Sequence, residues 1–76
     1  MVNVGDAVIF IDEKRQQHCA LVTEVHGDPD GTPSVNLLMV SADANERDQY
    51  GRQITRHSSV VHRDDNSGGG NCWIGM

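Results

Sequence analysis

The segment YGRQITRHSSVVHR, residues 50–63, holds three of the chain's five arginines among two histidines and two adjacent serines, and Arg47 lies just ahead of it. Arginine carries five donors in a planar fork and cannot lose its charge. Five Arg against one Lys therefore favours directed recognition of an anion over diffuse attraction. In an extended chain Arg52, Ile54 and Arg56 share one face, and Gln53, Thr55 and His57 the other. Ser58 and Ser59 add hydroxyl donors, His57 and His62 can donate or stack, and Tyr50 offers a ring. The candidate ligand site is thus Arg47, Tyr50, Arg52, Arg56, His57, Ser58, Ser59 and His62. The competing reading pairs these arginines with surface acids, where each pair contributes about 0–1 kcal/mol.

Other chemistries fit the residues less well. His18, His26, His57 and His62 with Cys19 and Cys72 lack the close paired spacing of structural zinc ligands, so no metal is expected. Cys19 beside His18, and Ser58 or Ser59 near His57, are strand neighbours pointing to opposite faces, so they cannot act as nucleophile and base. Cys19 shares a face with Leu21, Thr23 and Val25, which predicts a buried, inert thiol. GDPDGTPS, residues 27–34, lacks the twelve-residue calcium-loop pattern and reads as a tight connection. The best enzymatic alternative is a phosphodiesterase in which His57 or His62 moves protons beside an arginine. No cofactor is implied.

These groups need a scaffold, and the apolar residues repeat with a period of two. Strands are expected at 6–11, 18–27 and 34–41, with Val35, Leu37 and Met39 facing opposite to Leu38 and Val40. Residues 42–51 suit a helical turn or an irregular loop, with Ala42, Ala44 and Tyr50 as the apolar anchors. Residues 52–62 read as two short strands or one bent one, with His57 and His62 on opposite faces. Residues 63–71 contain three successive glycines and read as a flexible connection. The expected fold is all-β: a small SH3-like barrel, or a strongly bent antiparallel sheet of four or five strands with at most one short helical turn. The barrel domain is expected over residues 1–63, with residues 64–76 a glycine-rich arm ending in a Trp anchor. Trp73 plugs its own core or reaches an interface with another subunit.

Seventy-six residues make one domain that buries only about 60% of its unfolded surface. That deficit points towards a homo-oligomer. Residues 1–46 sum to −6, residues 47–63 to +3 and the remainder to −2, for a net charge of −5. Overall acidity disfavours extended nucleic acid, whereas a local arginine cluster suits a small anion. No signal-peptide pattern and no apolar run of membrane-spanning length appears, so no membrane partner is expected and reduced thiols in a cytoplasm are.

The blocks VGDAVIF, HCALVTEVHGD, PSVNLLMVS, DQYGRQITRHSSVVH and GNCW resemble small uncharacterised proteins of tailed bacteriophages, over roughly residues 3 to 73. VGDAVIF with ALVTEV also looks like the opening hairpin of SH3-like barrels of the KOW type. The resemblance implies a viral protein made in a bacterial cytoplasm and implies no activity. The resulting expectation is a non-enzymatic host-takeover or counter-defence protein. It would bind a small anionic ligand, such as a nucleotide immune signal, at a subunit interface. The alternatives are an acidic mimic that inhibits a host protein, a nucleic-acid module and the histidine-based phosphodiesterase.

Overall fold

The computed structural model describes every residue except Ala42, Ser67 and Gly68. Five strands, β1 (Ala7–Ile11), β2 (Gln17–His26), β3 (Ser34–Val40), β4 (Ile54–His62) and β5 (Cys72–Gly75), close into a barrel in the order β1-β2-β3-β4-β5. One 3-10 turn, Arg63–Asp65, precedes β5. The all-β expectation holds in the form of a closed barrel, consistent with a small SH3-like barrel. Of the two expectations for 42–51, the described residues 43–51 form the irregular loop, Ala42 lying outside them, and the one helical turn among the described residues falls at 63–65. Among the described residues no helix is long and apolar enough to cross a membrane.

Strand neighbours pair antiparallel except β4 and β5, which run parallel with Val61 opposite Cys72 and His62 opposite Trp73. The segment expected as a separate arm, 64–76, is therefore part of the domain. Four strands alone would leave β1 and β4 as open edges, and β5 pairs with both, with β4 over Val61 and His62. Of the two expectations for Trp73, a plug in its own core or a contact with another subunit, the structure shows the first: it is 5% exposed inside its own barrel. Its indole N–H donates to the Pro33 carbonyl at 3.0 Å, and its ring meets His62 edge-on at 4.7 Å. A polar handle satisfied from within explains why so large a side chain stays inside.

Val8, Phe10, Ala20, Val22, Val35, Leu37, Met39, Val60 and Trp73, with Val2 across one end, form the core. The inward face of β2 is His18, Ala20 and Val22, which corrects the expectation for this strand. Cys19 and Leu21 point outward, and Cys19 is exposed. Both faces of β2 carry apolar residues, so alternation alone cannot rank them. A register shift between Val22 and Glu24 then reverses the phase and brings Val25 against the core.

A second shift, between the Val35–Val60 and Leu37–His57 pairs, gives β4 an extra residue near Ser58 and Ser59. Ser59 adopts φ +54° there. Strand β4 is thus one bent strand, and the bend turns both His57 and His62 inward, at opposite ends of the barrel. The expectation of opposite faces assumed an unbroken alternation. Asn36, on the central strand, ties both irregularities: its side-chain oxygen accepts from Ser59 N at 2.9 Å and lies 3.0 Å from His26 Nε2. Its amide nitrogen donates to Glu24 at 3.1 Å.

Candidate functional site

The arginine segment begins in the connection between β3 and β4, which is built around Asp48. One oxygen of its carboxylate accepts the backbone N–H groups of Tyr50 and Arg52, both at 2.9 Å, and the other accepts Arg52 Nε at 3.0 Å. The backbone closes on the same residue: Asp48 N donates to Arg52 O, and Gly51 N donates to Asp48 O. Gly51 takes φ +80°, a turn conformation that favours glycine. The Asp48 side chain is 3% exposed, although it lies in a loop. Burial pushes its carboxyl up, but the N–H groups of Arg52 and Tyr50 and the guanidinium outweigh this and hold it below the usual value of 3.8.

The product of this turn is a displayed pair. Tyr50 is 72% exposed, and the Arg52 guanidinium carbon sits 4.8 Å from its ring centroid, within cation–π range. Beyond Asp48, the Arg52 guanidinium has no other hydrogen-bond partner among the described residues, so its two terminal nitrogens remain available. The base of the loop is clamped by Gln53, whose amide donates to Ser41 O at 2.8 Å and accepts from Arg47 at 3.3 Å. Ser41 N also donates to Gln53 O at 3.1 Å.

The other expected site residues are dispersed. Arg56 is exposed on the outside of the barrel beside Leu38 and makes no ion pair with a described residue. About 13 Å of extended chain separates it from Arg52. His57 points into one mouth of the barrel, stacked on Phe10 at 4.4 Å. Ser58 and Ser59 are exposed at the bulge. His62 lies at the other mouth, where Nδ1 accepts the Asp64 backbone N–H at 3.1 Å, and Arg63 starts the 3-10 turn. The eight residues therefore do not converge in one copy, because the bulge and the inward turn of the histidines divide them among the loop, the outer face and both mouths.

Three concavities frame the barrel. The mouth around His57 encloses about 310 Å³ and is lined by Phe10, Asp12, His18, Thr55 and His57, with the carboxylates of Glu13, Asp43 and Glu46 against the single cation Lys14. His18 Nε2 lies 2.9 Å from Asp12 Oδ2. That hydrogen bond, helped by the Gln16 and Lys14 backbone N–H groups and opposed by burial, lowers the Asp12 pKa. The opposite mouth, about 450 Å³, is lined by the two chain ends with His62 and Trp73. The third, about 210 Å³, lies on the outer surface over Ala7, Cys19, Leu21, Leu38, Val40 and Ile54. None of the five arginines lines any of these three. Among the described residues no group of three His, Cys, Asp or Glu side chains could hold a metal ion.

Two features escaped the sequence reading. Asp48 counts there only as a charge, although Asp-x-x-Gly-Arg is a turn pattern in which the Asp side chain can bond nearby backbone N–H groups. The Asp12–His18 contact joins the two ends of a hairpin and needed the register to be seen. Compared with models of known families, with curated proteins and with solved structures, the chain matches none.

Proposed function

We propose that this protein is a non-enzymatic binding module that takes a small anionic ligand with a planar face, of the nucleotide type, on Tyr50 and Arg52. The observation that carries this reading is the buried Asp48 carboxylate, which spends both oxygens on holding an exposed ring and an exposed guanidinium in one arrangement. Such preorganisation lowers the ordering cost of binding. Tyr50 would stack on the planar group while Arg52 donates to the anion.

Magnitudes limit what one copy achieves. A stacked ring contributes about 1–3 kcal/mol, and two charge-assisted hydrogen bonds contribute about 3–6 kcal/mol. Association costs at least about 4 kcal/mol, so a single loop supports weak binding and tighter binding needs further walls. The phage resemblance supports an accessory role in a bacterial cytoplasm, directed at a host signal. The phosphodiesterase alternative is less favoured. The mouth that brings His18 and His57 together is rich in carboxylates, which repel a phosphodiester, and it lacks an arginine to stabilise developing charge.

Calorimetry with a panel of mono-, di- and cyclic nucleotides tests the reading. Binding is expected in the wild type and is expected to weaken at least tenfold in Tyr50→Ala and Arg52→Ala, with the melting temperature unchanged in Tyr50→Ala and lowered in Arg52→Ala, which leaves one Asp48 oxygen without its partner. Equal affinity in wild type and both variants would remove it.

A further inference from the structure

Strand β4 is nine residues long, yet its pairing with β5 covers only Val61 and His62. The ladder with β3 fixes what the rest of its outer edge presents. Gln53 O accepts from Ser41 N, Thr55 lies opposite Met39 and His57 opposite Leu37. Gln53, Thr55 and His57 therefore turn their backbone groups towards β3, and Ile54 and Arg56, alternating with them, turn theirs away. Ile54 N donates back to Arg52 O. The Ile54 carbonyl and both backbone groups of Arg56 meet no partner among the described residues. This open edge borders the mouth that Thr55 and His57 line. We propose that an extended segment of another protein, with a lysine or arginine at every second position, adds to this edge and fills the mouth.

The edge calls for a strand, and the mouth selects its side chains. A strand laid on β4 points alternate side chains the same way as Thr55 and His57, into a hollow of about 310 Å³. Its floor is Phe10 with His57 stacked on it at 4.4 Å, a surface that suits the methylene stem of a long side chain. Its rim carries Glu13, Asp43 and Glu46 against Lys14. None of these three carboxylates forms an ion pair with a described residue. A cation entering the mouth gains charge-assisted hydrogen bonds, and an anion is repelled. The intervening side chains of the added strand lie outside, beside the exposed Arg56, where a basic residue would meet a like charge. The pattern is therefore alternating and not a basic run.

A second copy of this chain does not fit. Pairing two β4 edges about Arg56 sets two guanidinium groups side by side. It also brings two acidic mouths together in chains of net charge −5. Tyr50 and Arg52 do not line the mouth, so the inference is independent of the nucleotide reading. Few ladder bonds are on offer, so the contact is weak and reversible.

The test uses a seven-residue peptide of alternating threonine and lysine, blocked at both ends, titrated into the isotope-labelled protein. Three other probes run beside it: its glutamate counterpart, a copy N-methylated along the backbone, and spermidine. The lysine peptide is expected to shift the amide signals of residues 54–58 and to bind at least roughly tenfold more tightly than the other three. Glu13→Lys and Glu46→Lys, both at exposed positions, are each expected to weaken it about threefold or more, with a thermal melt verifying the fold. The peptide comparisons stand even if a variant fails that check. An N-methylated copy that binds as well as its parent overturns the proposal, because the edge is then not used. A glutamate peptide of equal affinity, or spermidine matching the lysine peptide, also overturns it. So does a lysine peptide that leaves residues 54–58 unmoved at millimolar concentration.

Discussion

The side-chain oxygen of Asn36 accepts the backbone N–H of Ser59 at 2.9 Å, at the point where β4 gains a residue on its neighbour. The bond sits at the bulge that turns His57 and His62 to the same side of a strand in which five positions separate them. Breaking it hands the exposed bulge N–H to water, at the net cost of an ordinary hydrogen bond, about 0.5–1.5 kcal/mol.

Asn36→Leu is therefore expected to destabilise the fold by that amount. Ser59→Gly, which relieves a left-handed backbone at φ +54°, is expected to be neutral or stabilising by up to about 1 kcal/mol. Urea unfolding of the two variants measures both effects. Equal loss in both would mean that the bulge conformation is not set by this bond.

Asp48 gives a pH signature. Its folded pKa is depressed below 3.8, so its stabilising contribution is present above that value and is lost as pH falls through the folded pKa. Asp12 behaves in the same way. Asp48→Asn should lower stability at pH 7 and flatten the fall in stability below about pH 4. It should also release Arg52 from the Tyr50 ring. A thermal-melt series from pH 2.5 to pH 7 reads this, and an acid limb identical to wild type would contradict it.

Trp73 should matter for folding before anything else. Trp73→Ala removes a buried ring and its bond to Pro33, a change that costs about 3–5 kcal/mol. A domain of this size has only about 4–11 kcal/mol in total. Circular dichroism should show a variant that is largely unfolded or melts far below wild type. Trp73→Phe keeps most of the volume and should retain the fold with a smaller loss. A fully stable Trp73→Ala would mean that β5 does not close the barrel.

The thiols separate by position. Cys19 is exposed and Cys72 is 0% exposed, so a thiol reagent should titrate one group in the native protein and a second only on unfolding. Rapid native reaction of both would place β5 outside the barrel.

The fold class was legible because the period of two, the turn signals and the β3 alternation agreed with one another. Strand β2 was not, since Leu21 and Val22 are equally apolar and only the register with β1 decides between them. The bulges at 23–24 and 58–59 leave no compositional mark, and with them went the facing of both histidines. The arginine cluster was visible as composition, but proximity along the chain is not proximity in a barrel. Its most ordered part depended on Asp48, whose role lies in backbone hydrogen bonds that a charge count does not register.

Strand β5 pairs with β1 through Ile11 and Cys72, contacts between residues far apart along the chain. During synthesis the nascent β1 must wait, one flank unpaired, while the ribosome adds some sixty residues. Folding to the closed form is accordingly a late, all-at-once event. Any stall between β4 and residue 72 leaves two adhesive sheet edges, β1 and β4, in a crowded cell.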